Sequence, residues 1–390
     1  MTANELIAQN RQQYEAGNHK AAKRLELGMC GLTNLETQVP ELFTLTHLEE
    51  LVLSSWWDEW NNITQKWERK ESANKGKLNQ IRWLPQAFAQ LRQLRVLIAN
   101  DNKITDISPL ATLSALTTLH LRGNKITDIS PLTKLSALTE LNLDRNNIAD
   151  ISPLATLSAL ATLHLRHNQI TDISPLATLS ALTTLDLSHN KITDILSLAT
   201  LSALTRLDLR HNRITDISSL ATLSALTKLN LNRNQITDIS PLATLRALTT
   251  LYLNDNQITD ISPLATLSAL TILDLIYNRI RDISPLVALS VLAELYLSNN
   301  QITDILSLAT LSALTTLYLY SNNIADISPL FPLLQRKINP LRLTTNRFLP
   351  GSIVIGNNPL TTPPIEIVEQ GAEAVLRYFE RLATEPTTFL

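Results

Sequence analysis

The 390-residue chain has one cysteine, Cys30, so neither a disulfide framework nor a cysteine-based zinc site can form within it. Glycine is scarce at eight residues, and no G-x-x-x-x-G-K-S/T phosphate loop occurs anywhere in the chain. Aromatic residues make up 5% and charged residues 17%. The charges nearly cancel, 33 Lys and Arg against 35 Asp and Glu, so there is no basic track for nucleic acid. Apolar runs last only a few residues, far short of a membrane span. The N-terminal MTANELIAQNRQQYEAGNHK lacks the charged-then-apolar profile of a secretory leader, so the expectation is a cytoplasmic chain.

Leucine and isoleucine are abundant, and they are periodic. Asparagine recurs at 102, 124, 146, 168, 190, 212, 234, 256, 278, 300 and 322, with a gap of 22 each time. Around each one the frame returns, as in Leu116-Thr-Thr-Leu119-His-Leu121-Arg-Gly-Asn124-Lys-Ile126-Thr-Asp128-Ile129-Ser-Pro131-Leu132. The alternation of Leu119 and Leu121 predicts a short strand with both leucines in the core and His120 and Arg122 facing out. Asn124 can satisfy backbone groups at the bend that follows, and Asp128 can accept from free amides in the next turn. Ser130-Pro131 reads as the N-cap and first residue of a short helical return. Proline holds that place in eight of eleven repeats, with serine at 197, 219 and 307.

This frame resembles the leucine-rich repeat, at the length of internalin-type bacterial repeats. The resemblance implies an α/β repeat solenoid: a leucine-rich-repeat horseshoe with a parallel concave sheet and short 3₁₀ or helical convex returns. Both ends are expected to be capped, by an N-terminal helix and a C-terminal hairpin and helix. Residues 1–24 form the first cap around a polar helix at 4–22. The repeats fill 25–346, regular from about 94 to 335, and 347–390 form the second cap. Cys30 stands at a ladder-asparagine position, a buried structural cysteine. The next rung, Leu51-Val-Leu53, has its ladder asparagine at Asn79, so an insertion of 23 residues occupies about 54–78.

After Asn322, Ile338-x-x-Leu341-x-Leu343-x-x-Asn346 is one further match, and Ile353-Val-Ile355-Gly-Asn-Asn358 follows too soon for a full rung. Residues 341–345 and 352–356 are therefore expected to form a hairpin through Pro350-Gly351. A helix of about 366–383 would then close the core with Val368, Val375, Phe379 and Leu382. The ends, AAKRLELGMCGLTNLETQVPELFTLTHLEELVL and NPLTTPPIEIVEQGAEAVLRYF, resemble the leucine-rich arm of bacterial Roco proteins. In that family a GTPase and a COR dimerisation domain follow the arm. Without the phosphate loop, neither nucleotide hydrolysis nor COR-type dimerisation carries over.

The repeats also serve as an internal alignment. Variation concentrates four, two and one residues before each ladder asparagine, on positions expected to face the concave surface, while convex positions hardly change. Five of seven histidines and five of seven tyrosines fall there. Arg122, Arg145, His164, Arg166, His167 and Asp186 are candidate partner contacts in the early rungs, followed by His189, Asp208, Arg210, His211 and Arg233. Tyr252, Tyr277, Tyr296, Tyr318 and Tyr320 are the candidates in the later rungs. The early rungs look basic and the later ones acidic and aromatic, which predicts a partner presenting acids to the first half. All five tryptophans lie between 56 and 83. Trp57 and Trp60 are candidate contacts, while Trp56 and Trp83 are expected to tack the insertion down.

The expected partner is a protein or peptide, domains of a parent chain included, with no nucleic acid, membrane, metal or cofactor, and the chain is expected to be a monomer. His167, His189 and His211 stand in a straight column that cannot easily converge on one tetrahedral ion. His164 and Asp186 are neighbours, but no serine or cysteine partner makes them a nucleophilic site, so no enzyme is expected. A secreted internalin-like adhesin is the alternative reading.

Overall fold

The computed structural model describes residues 1–61, 66–336, 341–343 and 351–384, without the side chains of 58–61, 66 and 67. The described chain divides into two compact units, Met1–Ala203 and Leu204–Leu390.

Each rung is built the same way. A three-residue strand such as Thr118–His120 buries its central leucine, and a 3₁₀ helix such as Ser130–Lys134 returns the chain. Leu116, Leu119, Leu121, Ile126, Ile129, Leu132 and Leu135 are all 0–1% exposed, so every predicted frame position is in the core. Seven buried side chains do not offset the entropy of ordering 22 residues, so a rung stands only through its neighbours. In the first unit the strands are parallel and in step, Leu97 opposite Leu119, then Leu141, Leu163 and Leu185. In the second, Leu207, Leu229, Leu251, Leu273, Leu295 and Leu317 are likewise in step with one another.

The asparagine side chains tie successive rungs together. Asn124 Nδ2 donates to Leu121 O of its own rung at 2.9 Å and to Ala99 O of the preceding rung at 3.0 Å. Its Oδ1 accepts from Ile104 N at 3.0 Å. Only a side chain with both a donor and an acceptor can do this, which is why asparagine recurs. Asp128 Oδ1 accepts the Ser130 amide at 2.8 Å, and its Oδ2 accepts the Ser130 hydroxyl at 3.0 Å. The acceptor at the helix start is thus the aspartate; Ser130 is the first helical residue and makes no cap bond of its own. Where serine replaces proline, Ser197 and Ser307 donate to the carbonyls of Ile173 and Ile283 one rung back, each at 3.1 Å.

The ends differ from expectation in detail. The N-terminal cap is two helices, Ala3–Glu15 and His19–Ala22, separated at Gly17, whose φ of +83° suits glycine. Cys30 is half-buried and donates only weakly to Gly28 O, 3.5 Å away. Asn79 closes the second rung as expected, donating to Leu27 O and Leu53 O at 2.8 and 2.9 Å.

At the other end, Leu341–Arg342 and Ile353–Val354 pair in parallel, not as an antiparallel hairpin. The strand next to Thr316–Tyr318 is Ile353–Val354, and Asn358 takes the ladder position, donating to Leu319 O at 2.9 Å. The spacing of 12 looked too short because the 341–343 segment is not the preceding rung; it lies outside Ile353–Val354. The match at Ile338 and Asn346, and the proposed turn at Pro350, lie outside the described residues. The closing helix is also two pieces, Ile365–Val368 and Ala372–Thr384, broken at Gly371. Val368, Val375 and Phe379 are buried as expected, whereas Leu382 is 50% exposed because the helix outruns the core there.

The insertion folds as an antiparallel pair, Trp56–Asn61 with Lys66–Glu71. Trp57 is its anchor, 4% exposed and packed on Val52 and Ile98. Ile98 belongs to the strand face expected to bind, so the insertion covers the start of that face.

Candidate functional site

A strand that buries its middle residue must turn its first and third residues to the other side. In the first unit this side carries a cavity of about 280 Å³, lined by Asn100, His120, Arg122, Glu140, Asn142, Asp144, His164 and Asp186. Glu140 and His120 come from adjacent strands, and His120 Nε2 lies 2.7 Å from Glu140 Oε1. Burial alone would raise the Glu140 carboxyl, but the hydrogen bond and charge of His120, with the charge of His164, hold it below its ordinary value. Asp144 is 5% exposed and accepts the Arg166 amide at 2.7 Å; its Oδ2 lies 3.7 Å from Arg122 Nη1. Burial pushes its carboxyl up, and the Asp186 charge adds to that.

The insertion contributes to this site. The Trp56 ring has the Arg69 guanidinium 4.2 Å away and that of Arg122 5.1 Å away, so Arg122 stands between an aromatic face and Asp144. Trp57, expected as a partner contact, is a correction: its ring is spent on Val52 and Ile98, with Arg24 5.3 Å over it. Trp83, expected to tack the insertion, is 42% exposed. The side chain of Trp60 lies outside the described residues.

In the second unit the same side carries Arg210 Nε 3.3 Å from Asp208 Oδ2, and Arg233 Nε 3.6 Å from Asp255 Oδ2. Arg233 Nη1 also lies 3.1 Å from His211 Nε2. Three of the bases that make the early rungs look positive thus face acids, Arg122 and Arg233 one rung away and Arg210 two residues away. Further on, Tyr252, Asp274, Tyr296 and Tyr318 take the same register position on four successive strands. Tyr296 donates to Glu294 Oε2 at 2.7 Å, and burial together with that bond pushes its hydroxyl up. Asp274 accepts the Ile276 amide at 3.0 Å and a bond from the Asn254 side chain, yet burial still pushes its carboxyl up to about 6. Tyr318 is a second correction: it is 2% exposed, beside the Tyr296 ring at 5.2 Å and the neighbouring Ile353–Val354 strand.

The residues just before the ladder asparagines sit at the turn, in the left-handed region. Arg145, His167, His189, His211, Arg233, Asp255 and Tyr277 have φ of 53–57°. Glycine or asparagine would suit this backbone better than arginine or tyrosine, so those side chains are held there against local preference. Arg145 and Tyr277 are exposed, and Tyr320 and Asp186 are half-buried. His167 and His189 stack with centroids 3.9 Å apart. Among the described residues no three His, Cys, Asp or Glu side chains group as metal ligands. The residues that sequence reasoning left off the site are His120, Glu140, Asp144, Asp274 and Glu294. Their signal was present, since they share the variable columns or begin the strand.

Stacked three-residue strands, an asparagine ladder and short helical returns define a leucine-rich-repeat solenoid. The sequence profile of leucine-rich repeats in double copies matches residues 114–156, 158–200, 202–244, 246–288 and 291–332. The chain belongs to the leucine-rich repeat family and carries internalin-like repeats. A crystal structure of an internalin from Listeria monocytogenes is 34% identical over 85% of this chain and 92% of its own, with a TM-score of 0.74. A leucine-rich-repeat protein of Leptospira interrogans shares the fold at 22% identity, over 94% of this chain and 96% of its own, TM-score 0.71. A plant peptide hormone receptor in complex with RGF2 shares it at 20% identity, over 82% of this chain and 53% of its own, TM-score 0.59. No curated protein matches the chain. Among the described residues no helix is long and apolar enough to cross a membrane.

Proposed function

We propose that the chain is a monomeric, non-enzymatic recognition module that holds a protein or peptide on the strand face. One observation carries this reading. Partly buried, mutually oriented polar and aromatic groups concentrate on the strand face, while the frame around them repeats nearly unchanged. A part-buried hydrogen-bonded pair such as His120–Glu140 adds nothing that a rung needs, since rungs elsewhere place Asn142 or Asn230 in the His120 column. It fits a surface shaped for a partner. The plant receptor of similar fold, in complex with its peptide, supports the class of ligand.

Two settings suit such a module. The ends resemble the arm of a Roco-like GTPase, which would make the partner a domain of a parent protein and the compartment the cytoplasm. The 34% identity with an internalin over most of both chains favours an internalin-like adhesin at the cell surface. Reading the native gene past the codon for Leu390 separates them, since a phosphate-loop domain there selects the first setting. The recognition reading is tested by binding kinetics on a captured partner. His164→Glu with Asp186→Lys should weaken binding at least tenfold, and Thr156→Glu with Thr178→Glu on the helical returns should not. Equal binding by both variants and the wild type would remove the strand face from recognition.

A further inference from the structure

The second unit holds two carboxyls on the strand face with no ion-pair partner among the described residues, Asp274 and Glu294. Elsewhere on this face Glu140, Asp144, Asp208 and Asp255 each face a histidine or arginine. Asp274 lies between Tyr252 and Tyr296 in register, on strands about 4.8 Å apart. Glu294 starts the strand that carries Tyr296 and is held by the tyrosine hydroxyl at 2.7 Å.

We propose that Tyr252, Asp274, Glu294 and Tyr296 form a subsite for one cationic side chain of the bound partner, arginine or lysine. This rests on the recognition reading and adds a ligand chemistry to it. The carboxyl of Asp274 is half-buried with only two hydrogen bonds to neutral groups, so an entering cation supplies the counter-charge that the fold withholds. The two tyrosine faces attract the same cation through their ring quadrupoles, and a planar guanidinium fits between stacked rungs better than an ammonium. The second carboxyl stands on the adjacent strand, two residues before Tyr296, the register partner of Asp274.

The test uses the full chain with ¹³C-labelled tyrosine rings and aspartate carboxyls. N-acetyl-arginine amide, its lysine counterpart and the neutral isostere N-acetyl-citrulline amide are titrated into the millimolar range. Arginine amide should shift Tyr252 and Tyr296 saturably and lower the Asp274 titration midpoint, with lysine amide weaker and citrulline amide silent. Asp274→Asn with Glu294→Gln should weaken the arginine response at least tenfold. Citrulline amide matching arginine amide, no response to arginine, or a double variant within twofold of the wild type would each overturn the subsite. Any of those results leaves the kinetics of the His164 and Asp186 variant untouched, so the two readings fail separately.

Discussion

Replacing Asp274 by asparagine should stabilise the protein at neutral pH, although it removes a charged residue from the proposed binding face. The side chain keeps an acceptor for the Ile276 amide, 3.0 Å away in the wild type. It loses one acceptor toward Asn254, which costs about 1 kcal/mol. Against that stands the burial of an ionised carboxyl whose pKa is raised from 3.8 to about 6. Such a rise corresponds to roughly 3 kcal/mol of instability for the charged form. The sign follows from proton binding: the folded state holds the proton more tightly than the unfolded state. The penalty is therefore absent below the unfolded pKa, grows as pH rises from about 4 to about 6, and is constant above. Asparagine has no such penalty. Urea denaturation of both proteins across this range should show the variant more stable by roughly 2 kcal/mol at about pH 7, with the advantage gone near pH 4. An offset that stays constant with pH, or a wild type that is the more stable at neutrality, would refute the assignment of an unpaired, desolvated carboxyl.

Trp57→Ala should cost about 3–5 kcal/mol and speed proteolysis within residues 56–71, because it empties the contact with Val52 and Ile98; Trp83→Ala, at a ring 42% exposed, should do neither. Asn146→Ala leaves the Ile126 amide without its acceptor and takes one of two donors from the Leu121 and Leu143 carbonyls, which keep Asn124 and Asn168, so thermal unfolding should show a loss of about 1–3 kcal/mol. Glu140 has a depressed pKa, so its contribution is present above about pH 4.5 and is lost as pH falls through the folded value. Glu140→Gln should flatten the acid limb of a stability–pH profile there. Removing residues 358–390 takes away Asn358 and the buried Val375 and Phe379, and light scattering should detect association through the opened core.

The rung was legible because its physics is local and repeated. Each leucine, the ladder asparagine and Asp128 could be assigned from spacing, and each was found in the place assigned. The terminal strands were misread because spacing assumes that order in the chain is order in the sheet, and 353–354 steps in ahead of 341–342. The insertion was visible as an interruption and as a cluster of tryptophans. Which ring it buried depended on strand parity within the hairpin, and Trp57 rather than Trp56 turned toward Ile98. On the candidate site the columns were visible, but the pairing between columns was not. Counting charges made the early rungs basic; register sets Arg122 beside Asp144 one rung on, and Arg210 turns back to Asp208 within its own rung. The same register left Asp274 flanked by tyrosines and without a cation.

The most direct test of the account is site-specific photo-crosslinking in cells of the native host. A photoreactive residue is placed in turn at Asn142 and Tyr320 on the strand face, and at Ala177 and Ala243 on the helical returns. The account predicts crosslinks to another protein segment from the first two positions and none from the last two. Crosslinks confined to the helical returns would contradict it.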